Sequence, residues 1–284
     1  MANGILIVDK PADWTSQDVV AKLRGVFHEK RIGHGGTLDP MATGVLPIFV
    51  GRATRGVEFF EHADKTYCAR LRLGIVTDTQ DSSGRVLEEH EVQVEQAELL
   101  AVLERFRGKI CQIPPMYSAI KIGGKKLYEL ARAGKEVERK PREITIFSIE
   151  AKALSSTEWE LTVHCSKGTY IRTLCHDIGQ ALGCGACMTA LRRIQAGDYT
   201  IGQSIPLDKL ISLEKPEELL LPVDSLFAHV PKLTLSPAQE KCCRNGASFT
   251  FCGQGDYRVY GQDGSFLALS TVREGKLCTV KSFF

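Results

Sequence analysis

Long hydrophobic runs are missing from this 284-residue chain. The charge-free stretch Pro40–Gly51 is too short, and too rich in glycine and proline, to cross a bilayer. The opening MANGILIVDK carries no secretory signal and reads directly as a strand. Excess charge of one sign is missing as well. Lys and Arg number 36 against 34 Asp and Glu, a net charge of +2, so no global signature of nucleic-acid binding exists and charge has to be sought locally. There is no P-loop, no GxGxxG after a strand and no HExxH, which removes the nucleotide-phosphate, dinucleotide and zinc-protease readings. Internal repeats and low-complexity segments are absent too.

Cysteine is not scarce. Ten cysteines are scattered at uneven spacing, and without a signal their default state is the reduced thiol, which points to a cytoplasmic protein. The pair Cys184 and Cys187 in CGAC, with Cys242 and Cys243 downstream, has no second well-spaced CxxC, so the zinc signal is weak. A redox CxxC requires a thioredoxin-like βαβ setting that the pattern lacks.

The chain mixes strand and helix patterns without a regular βαβ repeat, which predicts an α+β fold. GILIVDKP reads as a buried strand stopped by proline. Val19, Val20, Leu23, Val26 and Phe27 fall on one helical face, with Thr15 or Ser16 as N-cap. KTYCARLRLG alternates as a half-buried strand, and VEQAELLAVLERFRG is an amphipathic helix. TDTQDSSGRV has a trace of a calcium-loop pattern, but its acids are wrongly spaced, and it reads as a polar turn. EWELTVHCSKGTYIRTLCHDIGQALG predicts strand, turn and helix. A proline-punctuated helical connector follows, and from Pro231 onward short strands and glycine turns predict a small β domain.

Against that background GHGGTLDPMATGVLP, from Gly33 to Pro47, holds a single carboxylate, Asp39. Asp before Pro in a glycine-rich loop is ordinary turn chemistry. The alternative is a catalytic carboxylate, since the glycines let a bulky ligand approach the backbone and His34 and Thr37 add hydrogen-bonding groups. Arg172, early in a helix, reads either as a surface arginine or as a bidentate partner for a carboxylate such as Asp39. Tyr67 and Tyr170 read as core aromatics or as rings that stack on a base. The segment from Lys121 to Arg142 carries eight Lys/Arg, including Lys121, Lys125, Lys126 and Lys135, against three acids, an excess of five. It is either a solvated charged face or a mobile phosphate-binding insertion.

Five stretches, DKPADWTS, GHGGTLDPMATGVLPIFVGRATR, KTYCARLRLG, PPMYSAIKIGGKKLYELARAGKEVER and SKGTYIRTLCHDIGQALG…LRR, resemble the bacterial TruB family of tRNA pseudouridine synthases, in family order and across nearly the whole chain. The resemblance implies isomerisation of uridine to pseudouridine at position 55 in the T loop of tRNA. The glycosidic N–C bond breaks, the uracil turns in its pocket and a C–C bond forms. Asp39 is then the essential carboxylate, whether it attacks the sugar carbon, attacks the base or removes a sugar proton. Arg172 pairs with it and Tyr67 stacks on the flipped base. His34 enters the space vacated in the T loop, and Tyr170 and Leu191 wall the pocket. Lys10 and Pro11 form a supporting motif beneath it, and the insertion over about 121–142 clamps the T arm.

The same resemblance divides the chain into a catalytic domain, 1–228, and a PUA-like RNA-binding β barrel, 229–284, that meets the acceptor side of tRNA. It implies neither metal nor organic cofactor, no membrane, no obligate protein partner and a monomer. Two other functions share the pocket: a tRNA-folding helper, and the catalytic subunit of an RNA-guided particle. Family members often carry His where Cys187 stands, and IQAGDYT departs modestly from the family pattern.

Overall fold

A computed structural model describes residues 2–284, which divide into two compact units. The first takes the residues up to Pro40, Leu46–Glu61 and Gln203–Phe284; the second takes Met41–Val45 and His62–Gly202. The strand Thr43–Val50 supplies its beginning to the second unit and its remainder to the first.

In the first unit the strand Gly4–Lys10 is buried along nearly its whole length, as its run of ILIV demands. It lies between the short strand Ile205–Pro206 and the 46–50 part of Thr43–Val50, with Ile32–His34 antiparallel beyond. The helix Ser16–Phe27 starts where Thr15 accepts the Asp18 N–H at 3.0 Å and Asp18 accepts the Thr15 N–H at 2.9 Å, a closed capping box. It ends at His28, which adopts a left-handed φ of 48°. Val19, Val20, Leu23 and Phe27 face a core shared with Leu6, Val8, Leu46, Ile48 and Leu207. Full burial of each such side chain contributes about 1.5–3 kcal/mol.

Later in this unit, five strands run in the order Lys232–Thr234, Asp256–Tyr260, Phe266–Arg273, Lys276–Ser282, Phe249–Thr250. They curl around a separate core of Leu235, Cys243, Val259, Leu267, Ala268 and Leu277. One helix, Pro237–Arg244, stands among the strands expected of this region. Its signals were present: Ser236 as N-cap, Pro237 in the first turn and Gln239 closing the box.

The second unit is built on a mixed sheet ordered 43–45, Ala186–Ala196, Lys65–Leu73, Glu158–Cys165, Arg142–Ala153, Gly108–Gln112. Tyr67, Ala69, Leu71 and Leu73 point to the buried face, as the alternation required, while Arg70 and Arg72 point out. Across from them stand Val163, Leu161 and Trp159, and the helix Ile171–Ala181 buries Leu174, Cys175 and Ile178. The basic segment is more ordered than a plain loop. It forms a hairpin of Lys121–Ile122 and Lys125–Lys126 turned by two positive-φ glycines, then a short helix Leu127–Arg132 anchored by buried Leu127. Among the described residues, no helix is long and apolar enough to cross a membrane.

Candidate active site

Asp39 lies in the first unit on a segment that is a loop only at its centre. The motif begins inside the strand Ile32–His34 and finishes inside Thr43–Val50, so its two ends are tied into sheet. On the N-terminal side of Asp39, the Ser16 hydroxyl serves both backbone groups of Leu38. It accepts the Leu38 N–H at 2.9 Å and donates to the Leu38 carbonyl at 3.3 Å. On the C-terminal side, the Pro40 carbonyl accepts from the Asp13 N–H at 2.9 Å and from Lys10 Nζ at 3.1 Å. The backbone is therefore clamped one residue before and one residue after the carboxylate.

Lys10 Nζ also donates to the carbonyls of Pro11 at 2.7 Å and Trp14 at 2.6 Å, and the side chain is fully buried. The Lys10 ammonium thus ties Pro11, Trp14 and Pro40 together and holds the backbone beside Asp39. Gly35 is required by space: a Cβ there would stand 2.5 Å from the Phe60 ring. Ser16→Ala removes a buried donor and acceptor at once, and is expected to cost about 1–3 kcal/mol of stability in chemical denaturation while slowing turnover more than substrate binding. His34, at the end of its strand, is half-buried in this unit.

Tyr67, Tyr170, Arg172 and Leu191 belong to the second unit. Leu191 sits directly across from Ala69, two residues from Tyr67 on the same face, so the Tyr67 ring and the Leu191 side chain share one side of the sheet. Both are nearly buried, at 9% and 8% exposure. Gly44 permits the parallel pairing with the neighbouring strand, because a Cβ there would stand 2.2 Å from the Arg193 carbonyl and its φ is 103°. Fully buried Arg193 donates from Nε to the Val45 carbonyl at 2.7 Å.

Arg172 is the second residue of its helix and only 5% exposed, so the surface-arginine reading is corrected. One terminal nitrogen donates to the Tyr117 carbonyl at 2.8 Å; the other donates to the Thr79 carbonyl at 3.3 Å and stands 3.6 Å from the Asp81 carboxylate. Asp81 is itself buried and accepts from the Thr79 hydroxyl and from the Ser83 N–H and hydroxyl. The polar turn at 77–86 is thus a cradle around buried Thr77 and Asp81, its other residues exposed or partly so, and it is tied to the sheet where Asp81 pairs with Met188. Thr173, next along, donates to the Gln80 side chain at 2.7 Å. Asp81 escaped sequence reasoning because its surroundings, TDTQDSSG, are ordinary turn residues.

Tyr170 opens the same helix without a side-chain cap, and its backbone is held instead by the Gln112 carboxamide. Two further titrations follow from enclosure. Burial lowers the Lys65 ammonium from its usual range, with nearby Arg193 adding to it, and burial raises the thiol of Cys165 to about 11. Cys184 and Cys187 are buried with thiols pushed upward by desolvation. Among the described residues, no three His, Cys, Asp or Glu side chains gather as a metal site would need. In the insertion, Lys121, Lys125 and Lys135 are exposed, whereas Lys126 packs over the Tyr128 ring at 5.4 Å.

Comparison with known proteins places the chain in a family. Residues 24–171 match the model of the TruB family pseudouridylate synthase N-terminal domain, and residues 172–228 match the tRNA pseudouridylate synthase B C-terminal domain. The protein named tRNA pseudouridine synthase B from Azoarcus sp. (strain BH72) is 45% identical over 281 residues, covering 98% of this chain and 93% of that protein. The protein of the same name from Haemophilus influenzae (strain 86-028NP) is 41% identical over 280 residues, covering 95% of this chain and 92% of that one. A chain in the crystal structure of a Cbf5-Nop10-Gar1 complex superposes with a TM-score of 0.74 at 26% identity, over 100% of this chain and 85% of its own.

Proposed function

The chain belongs to the TruB family of pseudouridylate synthases, which isomerise uridine to pseudouridine in tRNA, and on that footing we propose that it acts alone on the T-loop uridine at tRNA position 55, with Asp39 as its essential carboxylate. The observation that carries the residue assignment is the double clamp around Asp39, through Ser16 on one side and Lys10 on the other. A reaction in which a base is cut from its sugar and rejoined through carbon needs one carboxylate held still while the base turns. It also needs the base kept from water and from escape, which a walled pocket provides.

The residues take these roles. Asp39 reacts. Arg172, held by two carbonyls and Asp81, presents a rigid guanidinium as the charge partner the reaction's carboxylate needs. Tyr67 stacks on the flipped base, and Leu191 and Tyr170 line its pocket. His34 fills the space the base leaves in the T loop. None of these steps calls on a metal or an organic cofactor.

The segment 229–284, with its own core, is the RNA-binding module that meets the acceptor side of tRNA, and 1–228 is the catalytic domain. Ten free cysteines suit a reducing cytoplasm, where the chain works as a monomer. The assignment to one uridine is tested with transcripts in which that T-loop uridine is replaced by cytidine. Pseudouridine, read by mass spectrometry, should disappear with that replacement and persist when any other uridine is replaced; persistence after the T-loop replacement would sink the assignment.

The insertion makes its own prediction. Neutralising Lys125, Lys126 and Lys135 together is expected to weaken tRNA binding and to flatten the slope of log affinity against log salt by about two to three. An unchanged slope would show that these charges do not meet phosphate.

A further inference from the structure

Gln112 is the last residue of the edge strand Gly108–Gln112, directly before Ile113, Pro114 and Pro115, and is 2% exposed. Its carboxamide meets the backbone of Tyr170, 58 residues away, on both sides. Nε2 donates to the Tyr170 carbonyl at 3.0 Å, and Oε1 accepts the Tyr170 N–H at 2.8 Å. A donor and an acceptor on one residue fix the orientation of the amide, because the reversed amide would oppose like with like.

The location gives this pairing its meaning. Tyr170 is the N-cap position of Ile171–Ala181, yet its side chain makes no capping hydrogen bond. The preceding turn is held elsewhere: Ser166 Oγ accepts the Thr145 N–H, and Thr169 donates to the Ser166 carbonyl. Only two residues past Tyr170 comes Arg172, which reaches Thr79, Asp81 and Tyr117. The start of the helix therefore carries both the Tyr170 ring and the buried guanidinium, and the carboxamide holds the two successive peptide groups on either side of the Tyr170 Cα from which they project.

We propose that Gln112 is a positioning residue for the isomerisation: its buried carboxamide, clamped on both backbone groups of Tyr170, sets the start of the helix so that the Tyr170 ring and the Arg172 guanidinium take their working places. The inference rests on the reading that Tyr170 and Arg172 serve the pocket.

The test compares Gln112→Leu and Gln112→Glu with the wild type in single-turnover reactions on a tRNA transcript, beside tRNA affinity. Gln112→Leu is expected to slow the reaction on the order of 10–100-fold, as a misplacement of about an ångström does, with affinity within about threefold. Gln112→Glu supplies a signature that a general folding defect does not. As a carboxylate it repels the Tyr170 carbonyl; once protonated it regains a donor and an acceptor in the shape of glutamine. Its rate relative to wild type should rise about tenfold or more between about pH 8.5 and pH 6, while the Gln112→Leu ratio stays flat. Arg142, across from Gln112 on the neighbouring strand and exposed, shifts the pH of that recovery and not its direction.

A Gln112→Glu ratio that does not change with pH overturns the inference, as does Gln112→Leu at the wild-type rate. Should Gln112→Leu fail to fold, the Gln112→Glu profile decides alone. Tyr170→Ala and Arg172→Lys run in parallel separate the two levels. If both react at the wild-type rate, the pocket reading falls and takes the inference with it. If both are slow beside a pH-flat Gln112→Glu, only the inference on Gln112 falls.

Discussion

Asp39→Asn is expected to remove turnover, by on the order of a thousandfold or more, while tRNA affinity stays within a few fold. The substitution keeps the size and shape of the side chain and deletes its charge and basicity. Apart from that charge, Ser16 holds Leu38, and Lys10 and Asp13 hold Pro40. Binding draws on phosphate contacts spread over the RNA surface, far from one carboxylate. Loss of rate with retained affinity thus isolates chemistry from docking. It also separates an enzyme from a tRNA-folding helper, for which the carboxylate would be dispensable. A variant with substantial turnover would remove Asp39 from the centre of the account.

The second large effect belongs to Arg172. Arg172→Ala leaves the buried Asp81 carboxylate without its cation, and withdraws donors from the Thr79 and Tyr117 carbonyls. Stripping one member from a buried pair costs about 3–5 kcal/mol, which denaturant titration would read directly. On the proposed role of Arg172, turnover should fall further than binding, since that role orients charge and does not meet phosphate. Arg172→Lys returns the charge but has no planar fork to span two carbonyls and a carboxylate, so it should recover part of the stability and little of the rate. Asp81→Asn tests the same cradle from the other side: slower single turnover with unchanged tRNA affinity is expected. Arg172→Ala with full stability and full rate would mean that the Asp81 pair is incidental.

Much of this architecture is legible in local patterns. The alternation in KTYCARLRL reports a strand with one buried face, and Tyr67 belongs to that face. The spacing of Val19, Val20, Leu23 and Phe27 behind Thr15 reports a capped helix almost to the residue. The strand Ile32–His34 escaped because three residues are too few for a period to show. Asp81, Ser16 and Gln112 were hidden for a different reason. Each is buried by a partner distant in sequence: Met188 beside Asp81, Leu38 against Ser16, Tyr170 against Gln112. Neighbouring residues carry no trace of such pairings. Lys10 shows the converse: the resemblance marks Lys10 and Pro11 as a supporting motif, but only the fold reveals the three carbonyls that meet the ammonium.

The most direct test of the account uses tRNA transcribed with tritium at uridine C5. Joining the sugar to a ring carbon that bears hydrogen must release that hydrogen as a proton, so tritium in water counts turnovers. Purified protein with no added metal, run beside Asp39→Asn, should release tritium equivalent to one uridine per tRNA, from the T loop, with the variant silent. Tight tRNA binding without release by the wild type, or equal release by both proteins, would contradict the claim that a clamped Asp39 isomerises that uridine.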